Sequence, residues 1–295
     1  MINIGNKIKK GKKISIFPIV NSVMLGLFAL LCLFPFVYEL LIAFASKEDY
    51  YAANFLVIPY HLTFENFKYI FFQGTVGGAF LRSIFTTIVG LIYNMALTII
   101  LAYALSRTDM FGNRFLFVFV LITMFFGGGL VPFYVTVQRL GLMNNLTSVI
   151  VPFGLSSFNA IILRNFFRRV PQEVLDSCKI DGASEFIILV RFIVPLSLAG
   201  IATVALFYGV ERWNDWYWPM LFITDSEQAT LALELRNILS ANQSAGMGGG
   251  VDTTITFSEG QNAATIIIAV LPVLIAYPFV QKYFVQGTLI GGIKE

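Results

Sequence analysis

"QEVLDSCKIDGASEFIILVRFIVP", residues 172–195, lies between two long apolar runs and reads unlike either. Glu173, Asp176, Asp181 and Glu185 are interspersed there with Lys179 and Arg191, around the pair Asp181-Gly182. Pro171 suits the first position of a helix, where its missing N–H costs nothing. Residues 172–180 then predict about two and a half turns. Val174, Leu175 and Cys178 fall on one side of that helix, and Glu173, Asp176 and Lys179 largely on another. Gly182 can adopt a positive φ and stop it, and Ser184 can cap the helix that follows. Such a short two-faced helix can dock in a cleft of another protein or lie on lipid headgroups. The residues alone leave both open.

The rest of the chain supplies the setting. Of 295 residues, 57% are hydrophobic and only 13% charged, with a mean hydropathy of +0.77. A soluble domain carries about 25% charged residues, so most of these side chains face something other than water. Six apolar segments are long enough to cross a bilayer, which takes about 20 residues. They are 17–45, 79–106, 114–137, 146–165, 187–210 and 262–284. Residues 1–16 form a basic tail, 17–284 the membrane domain and 285–295 a closing tail. The expected fold class is therefore an all-α polytopic membrane protein with six transmembrane helices. Pro35, Pro132, Pro152 and Pro272 predict kinks inside spans. The basic start resembles a secretory leader, but its apolar run is about twice the usual 7–15 residues, so it reads as a retained span.

Lysine and arginine set the orientation. With the N-terminus in the cytoplasm, that side carries 14 of the 20 basic residues and the other side 6. Both termini then lie inside. The charged stretch falls on the cytoplasmic side between spans four and five, and an acidic loop of residues 211–261 falls outside. The residues exclude most chemistry. Cys32 and Cys178 belong to different environments and predict no disulfide. A single histidine, His61, rules out a Ser-His-Asp or Cys-His set, and no group of side chains has metal-site spacing. "GNKIKKGKK" (5–13) has the wrong glycine spacing for a phosphate loop and no Ser or Thr after its lysine. A basic tail beside anionic lipid is the plain reading.

Candidate cargo-path residues cluster near the outer end of span five. Trp213, Trp216 and Trp218 fall within six positions. They suit an interfacial belt or a platform for pyranose faces, with Glu211, Asn214 and Asp215 taking hydroxyls. Asn94 and Asn159, amides at membrane depth, either face a cavity or bond between helices. The stretch "ANQSAGMGGGVDT" (241–253) reads as a flexible polar linker.

The charged stretch resembles the "EAA" loop of binding-protein-dependent ABC importer permeases: Glu-Ala-Ala, three residues, Gly, nine residues, then Ile-x-Leu-Pro. Asp176-Ser177-Cys178 stand at the first three positions, Gly182 six after Asp176, and Pro195 thirteen after Gly182. Phe192 and Val194 replace the Ile and Leu. Further stretches resemble the carbohydrate-uptake, MalG-like branch with its MetI-like fold: "FLRSIFTTIVG" with "AYALSR" (80–107), "MFFGGGLVPFYVTVQRLGLMNN" (124–145), "ERWNDWYWPMLFI" (211–223) and "QKYFVQGTLIGGIKE" (281–295). Gly-Gly-Gly and Trp-Asn-Asp-Trp point to the subgroup for complex oligosaccharides and polysaccharide fragments.

The resemblance implies a non-enzymatic transport subunit of the bacterial cytoplasmic membrane. Glu173, Asp176, Ser177, Cys178, Asp181, Gly182 and Pro195 would couple it to two cytoplasmic ATPases. Those partners would bind ATP and magnesium, and this chain no cofactor. A second homologous permease, an extracellular solute-binding lipoprotein, a carbohydrate and membrane lipid complete the implied partners; nucleic acid is not among them. The C-terminal tail would reach the ATPases, with Gly287, Gly291 and Gly292 easing a narrow path. Gly246, Gly248, Gly249 and Gly250 would form a probe that enters the docked binding protein. The competing classes are an ion-coupled secondary transporter and a non-transporting receptor or scaffold. If the probe reading holds, deleting residues 244–250 lowers uptake in vesicles while the complex still co-purifies.

Overall fold

The computed structural model describes residues 16–53, 58–247 and 257–292. Its regular elements are helical, with one isolated bridge between Ala45 and Leu62. The main helices in chain order are α1 (Ile16–Ala43), α2 (Val76–Ser106), α3 (Asn113–Phe125), α4 (Leu130–Arg139), α5 (Ser157–Phe167), α6 (Gln172–Ile180), α7 (Glu185–Leu196), α8 (Leu198–Asn214), α9 (Tyr217–Phe222), α10 (Leu231–Met247) and α11 (Ser258–Gly292).

Three helices, α1, α2 and the first part of α11, are long and apolar enough to cross a membrane unbroken. The other three expected spans are not straight. α3 and α4 meet at 110°, the 3₁₀ turns of residues 146–153 meet α5 at 49°, and α7 meets α8 at 85°. Proline alone does not place the breaks: Pro152 and Pro195 each stand two residues before a bend, but other prolines do not bend the chain. α11 continues through Pro272 and Pro278, whereas the third span gives way at Gly127-Gly128-Gly129. Gly129 has φ +83°, a region that side chains with a Cβ avoid. With only 13 residues, α3 is about 20 Å long, too short to cross the roughly 30 Å hydrocarbon core upright.

α2 is the central post. Its buried positions include Ala79, Ser83, Thr86, Gly90, Asn94, Thr98 and Ala102, a stripe of small or polar residues three or four apart. Small side chains let helices approach closely where no hydrophobic force separates protein from lipid. α5, α8 and α10 pack against α2, while α11 packs on both α8 and α1. α1 is apolar and exposed along most of its length, as a lipid-facing helix can be.

The stretch 172–196 forms an elbow. α6 ends with two reversed hydrogen bonds, Gly182 N to Lys179 O (3.0 Å) and Ala183 N to Cys178 O (2.9 Å), and Gly182 sits at φ +77°. Ser184 Oγ accepts from Ile187 N (3.4 Å) and starts α7. Span five, expected over residues 187–210, is bent. A π turn at Leu189–Ile193 precedes Pro195, which cannot donate to the ladder, and the chain swings at Ser197. Two more expectations change. Residues 241–247 of the supposed linker, Gly246 included, continue α10, and the tail is helical through Gly287 to Gly292. Gly248, Gly249 and Gly250 lie outside the described residues.

A methyl group at position 182 meets open space, so only backbone strain opposes it. Gly182→Ala is expected to destabilise the α6 stop by about 1–2 kcal/mol. Hydrogen exchange should quicken at residues 172–183 and stay unchanged in α2.

Candidate functional site

A cavity of about 560 Å³ opens where two of the helix breaks meet α2 and α8. Gly127, Gly128, Gly129, Leu155 and Ser156 form part of its wall, beside Asn94, Tyr208, Glu211 and Arg212. Phe133, Phe153, Tyr217 and Trp218 line the remainder. Non-helical backbone survives at membrane depth only where other groups satisfy it or where it borders a wet cavity. Neighbouring side chains meet the first condition at the second break. Phe153 O accepts from Asn94 Nδ2 (2.6 Å) and from Arg212 Nη2 (2.8 Å). Arg212 Nη1 donates to Val149 O. Tyr208 OH accepts from Ser156 N (2.9 Å) and pairs with Thr98 Oγ1 (2.8 Å). The Trp218 ring is fixed by Phe133 at 5.0 Å, Phe153 at 5.1 Å and Phe222, stacked at 5.6 Å. Such a wall offers amide, hydroxyl, carboxylate and guanidinium groups beside flat apolar rings, the mixture that holds a polyhydroxylated ligand.

Of the cargo-path candidates, Asn94, Glu211 and Trp218 line this cavity. Asn159 is buried on α5 away from the lining. Trp213 points elsewhere: its Nε1 donates to Ala269 O (2.8 Å) and its ring meets Phe80 edge-on, tying α8 to α11 and α2. Trp216 is half exposed under the Arg236 guanidinium, 4.8 Å from the ring centre. Asn214 bonds back to Val210 O (2.9 Å), and Asp215 caps α9 through Trp218 N (3.2 Å). Trp218 belonged to the tryptophan cluster singled out for the path, whereas Tyr208 and Arg212 were not singled out. Helical phase was the available signal, because Tyr208, Glu211 and Arg212 are three and four apart on one face of α8, while Trp213 is turned off it.

At the elbow, Leu175 and Cys178 are buried in one cluster with Leu163, Phe167, Ile188 and Ile193. Cys178 therefore holds α6 against the bundle rather than meeting a partner. Glu173, Asp176, Ser177, Asp181, Gly182 and Pro195 are exposed. So are two apolar side chains, Ile180 at 86% and Phe186 at 74%. A charge network fastens the elbow to the end of α2. Buried Arg107 donates to Asp109 from Nε (3.2 Å) and Nη2 (2.9 Å) and lies 3.5 Å from Glu185. Lys179 Nζ is 3.0 Å from Asp109 and 3.7 Å from Glu185, and Tyr103 OH donates to Glu185. The hydrogen bond from Lys179, with help from Arg107 and against some desolvation, holds the Asp109 carboxyl down at about 2. No short-range spacing could reveal pairs that lie 70 and 78 positions apart.

Interrupted spans around a polar cavity, with a charged elbow on the same helices, are the build of a transport subunit. Residues 94–289 match the family described as binding-protein-dependent transport system inner membrane component, and the chain belongs to that family. It is a permease subunit, not an enzyme. Two relatives from Bacillus subtilis (strain 168) are each 36% identical. One is the polygalacturonan/rhamnogalacturonan transport system permease protein YtcP, over 91% of this chain and 94% of the relative. The other is the protein LplC, over 95% of both. A solved structure, of a bacterial ABC transporter involved in the import of the acidic polysaccharide alginate, superposes with a TM-score of 0.81 at 28% identity. The match covers 91% of this chain and 96% of that one. The ion-coupled alternative finds no support among these.

Asp109→Asn and Glu185→Gln should each loosen the elbow by up to about 1 kcal/mol, the range of partly exposed pairs. Together they should cost less than their sum, because they share Arg107 and Lys179. A depressed carboxylate adds stability above its ordinary value near 4 and loses it as the pH falls through the folded one. Protection of residues 172–196 from exchange should therefore hold at neutral pH and fall away between about pH 4 and pH 2.

Proposed function

We propose that this chain forms one half of the membrane pore of an ATP-driven importer of oligosaccharides or polysaccharide fragments in a bacterial cytoplasmic membrane. The observation that carries the reading is the sharing of helices between the cavity and the elbow. α8 starts at the elbow's bend and bears Arg212 about 21 Å further along. α2 bears Asn94 at the cavity and is followed directly by Arg107 at the charge network. Displacing the elbow therefore displaces two walls of the cavity, which is how a packed bundle switches access.

In this reading the termini and the elbow face the cytoplasm, in line with the distribution of lysine and arginine. Two ATPase subunits, which bind ATP and magnesium, grip the exposed face of Glu173, Asp176, Ser177, Ile180 and Asp181. A second permease completes the pore, and a solute-binding protein delivers the saccharide from outside. Similarity to permeases named for polygalacturonan/rhamnogalacturonan and arabinooligosaccharides supports the cargo class. So does the aromatic and polar lining of the cavity.

A complex reconstituted with its partner permease, ATPases and binding protein should take up saccharide only with ATP. A cysteine at position 176 should crosslink to an ATPase subunit. Gly182→Pro should insert normally, yet lose saccharide-stimulated ATP hydrolysis by tenfold or more. Crosslinks to externally added reagents only, or uptake that follows an ion gradient without ATP, would refute the reading.

A further inference from the structure

Three arginines gather where α2 ends, α3 begins and α5 ends. The three helix ends are tied side by side: Asn113 Nδ2 donates to Ala104 O (2.8 Å) and Arg164 Nε to Leu105 O (2.9 Å). The Arg164 guanidinium lies over the Phe117 ring of α3, 4.2 Å from its centre. Arg114 stands three residues before Phe117 and so neighbours it on the helix surface. Arg168 follows Arg164 by one turn, and it is the charge that acts on Arg164. Among the described residues none of the three forms an ion pair. The acidic residue of the adjoining turn, Asp109, is taken by Arg107 and Lys179. Arg164 also gives Nη1 to Asn165 Oδ1 (3.4 Å), which leaves Nη2 without a partner. Arg114 and Arg168 are exposed.

Arginine at the C-terminal end of a helix offsets the helix dipole, and that suffices for Arg164 and Arg168. It does not account for Arg114, which stands in the first turn of α3, where a cation is unfavourable and no acidic residue accompanies it. Cations brought together against that field suit an anion, and guanidinium forks suit phosphate oxygens. The neighbouring surface says what the phosphate is attached to. Phe111 in the turn and Phe115, Phe119 and Ile122 on α3 are exposed, and the last three form one apolar stripe leading away from the arginines. By helical phase, Arg114 falls between that stripe and Phe117. Charge at one end and an apolar track below it match a phospholipid, and the ammonium of a zwitterionic headgroup would find no carboxylate here. We propose that the ends of α3 and α5 form a site for the headgroup of an anionic phospholipid, whose acyl chains lie along α3.

The test is local photolabelling. The assembled permease–ATPase complex is placed in phosphatidylcholine bilayer discs doped with a trace of photoactivatable lipid, either phosphatidylglycerol or phosphatidylcholine. Labelled residues are then mapped by peptide mass spectrometry. The exposed middle of α1, at Leu30 and Leu31, serves as the reference lipid-facing surface. Labelling over residues 111–122, relative to that reference, should favour phosphatidylglycerol about tenfold, as expected for two or more arginines at an anionic headgroup. Arg114→Gln with Arg168→Gln, both exposed positions, should cut the preference to about threefold or less. Adding Arg164→Gln, which keeps a donor for Leu105 O, should abolish it. Equal labelling by the two lipids in the unmutated complex overturns the proposal and needs no variant. A preference that survives the loss of all three arginines also overturns it, because its source then lies elsewhere. So does the absence of label from either lipid while α1 is labelled, since a protein then covers this face.

Discussion

In a bilayer, a backbone amide or carbonyl that leaves the helical ladder finds no water to replace it, and that constraint shapes the centre of this bundle. The chain leaves the ladder at residues 126–129 and 154–156, inside two of its apolar runs. It can do so because Asn94, Tyr208 and Arg212 meet the second break with three donors or acceptors from neighbouring helices. The first break, built of glycines, borders the cavity. The polar groups that make the interruptions tolerable are also the groups a hydroxylated ligand would meet. Architecture and candidate site are thus one feature.

The same economy appears at the elbow. Its two arms are short, nine and twelve residues, too short to hold a helical shape in water unaided. Their rigidity comes from Leu175, Cys178, Ile188 and Ile193 packed on α5 and α8, and from the Arg107–Asp109–Lys179–Glu185 network on α2. Isolated exposed ion pairs contribute little, but a network around a buried guanidinium binds three elements at one point. The outward face is left with acidic side chains and two exposed apolar ones, a surface suited to a protein groove more than to open water.

Much of this was legible in the residues. The elbow's helix limits, its glycine stop and its serine cap follow from local propensities and are found where spacing placed them. The spans were legible as apolar runs, but not as straight or bent. Pro35, Pro272 and Pro278 sit within continuous helices, Pro152 and Pro195 each stand two residues before a bend, and the third run turns at glycines. Proline's missing bond can be covered by a neighbour, so its presence does not fix a bend. The tryptophan cluster showed a similar limit. Composition drew attention to all three rings, yet only Trp218 reaches the cavity, because helix phase and the α9 turn, not residue type, aim each ring.

Composition, hydropathy and lysine–arginine bias by themselves determined that this is a helical membrane protein with a charged joint between its fourth and fifth apolar runs. Those properties are local sums, and lipid acts on each segment almost independently. Tertiary structure alone decided which runs break, which polar side chain meets which carbonyl, and that residues 94 and 212 or 109 and 179 share a site. Such choices depend on the distance between helices far apart in the chain, a quantity that no window of sequence contains.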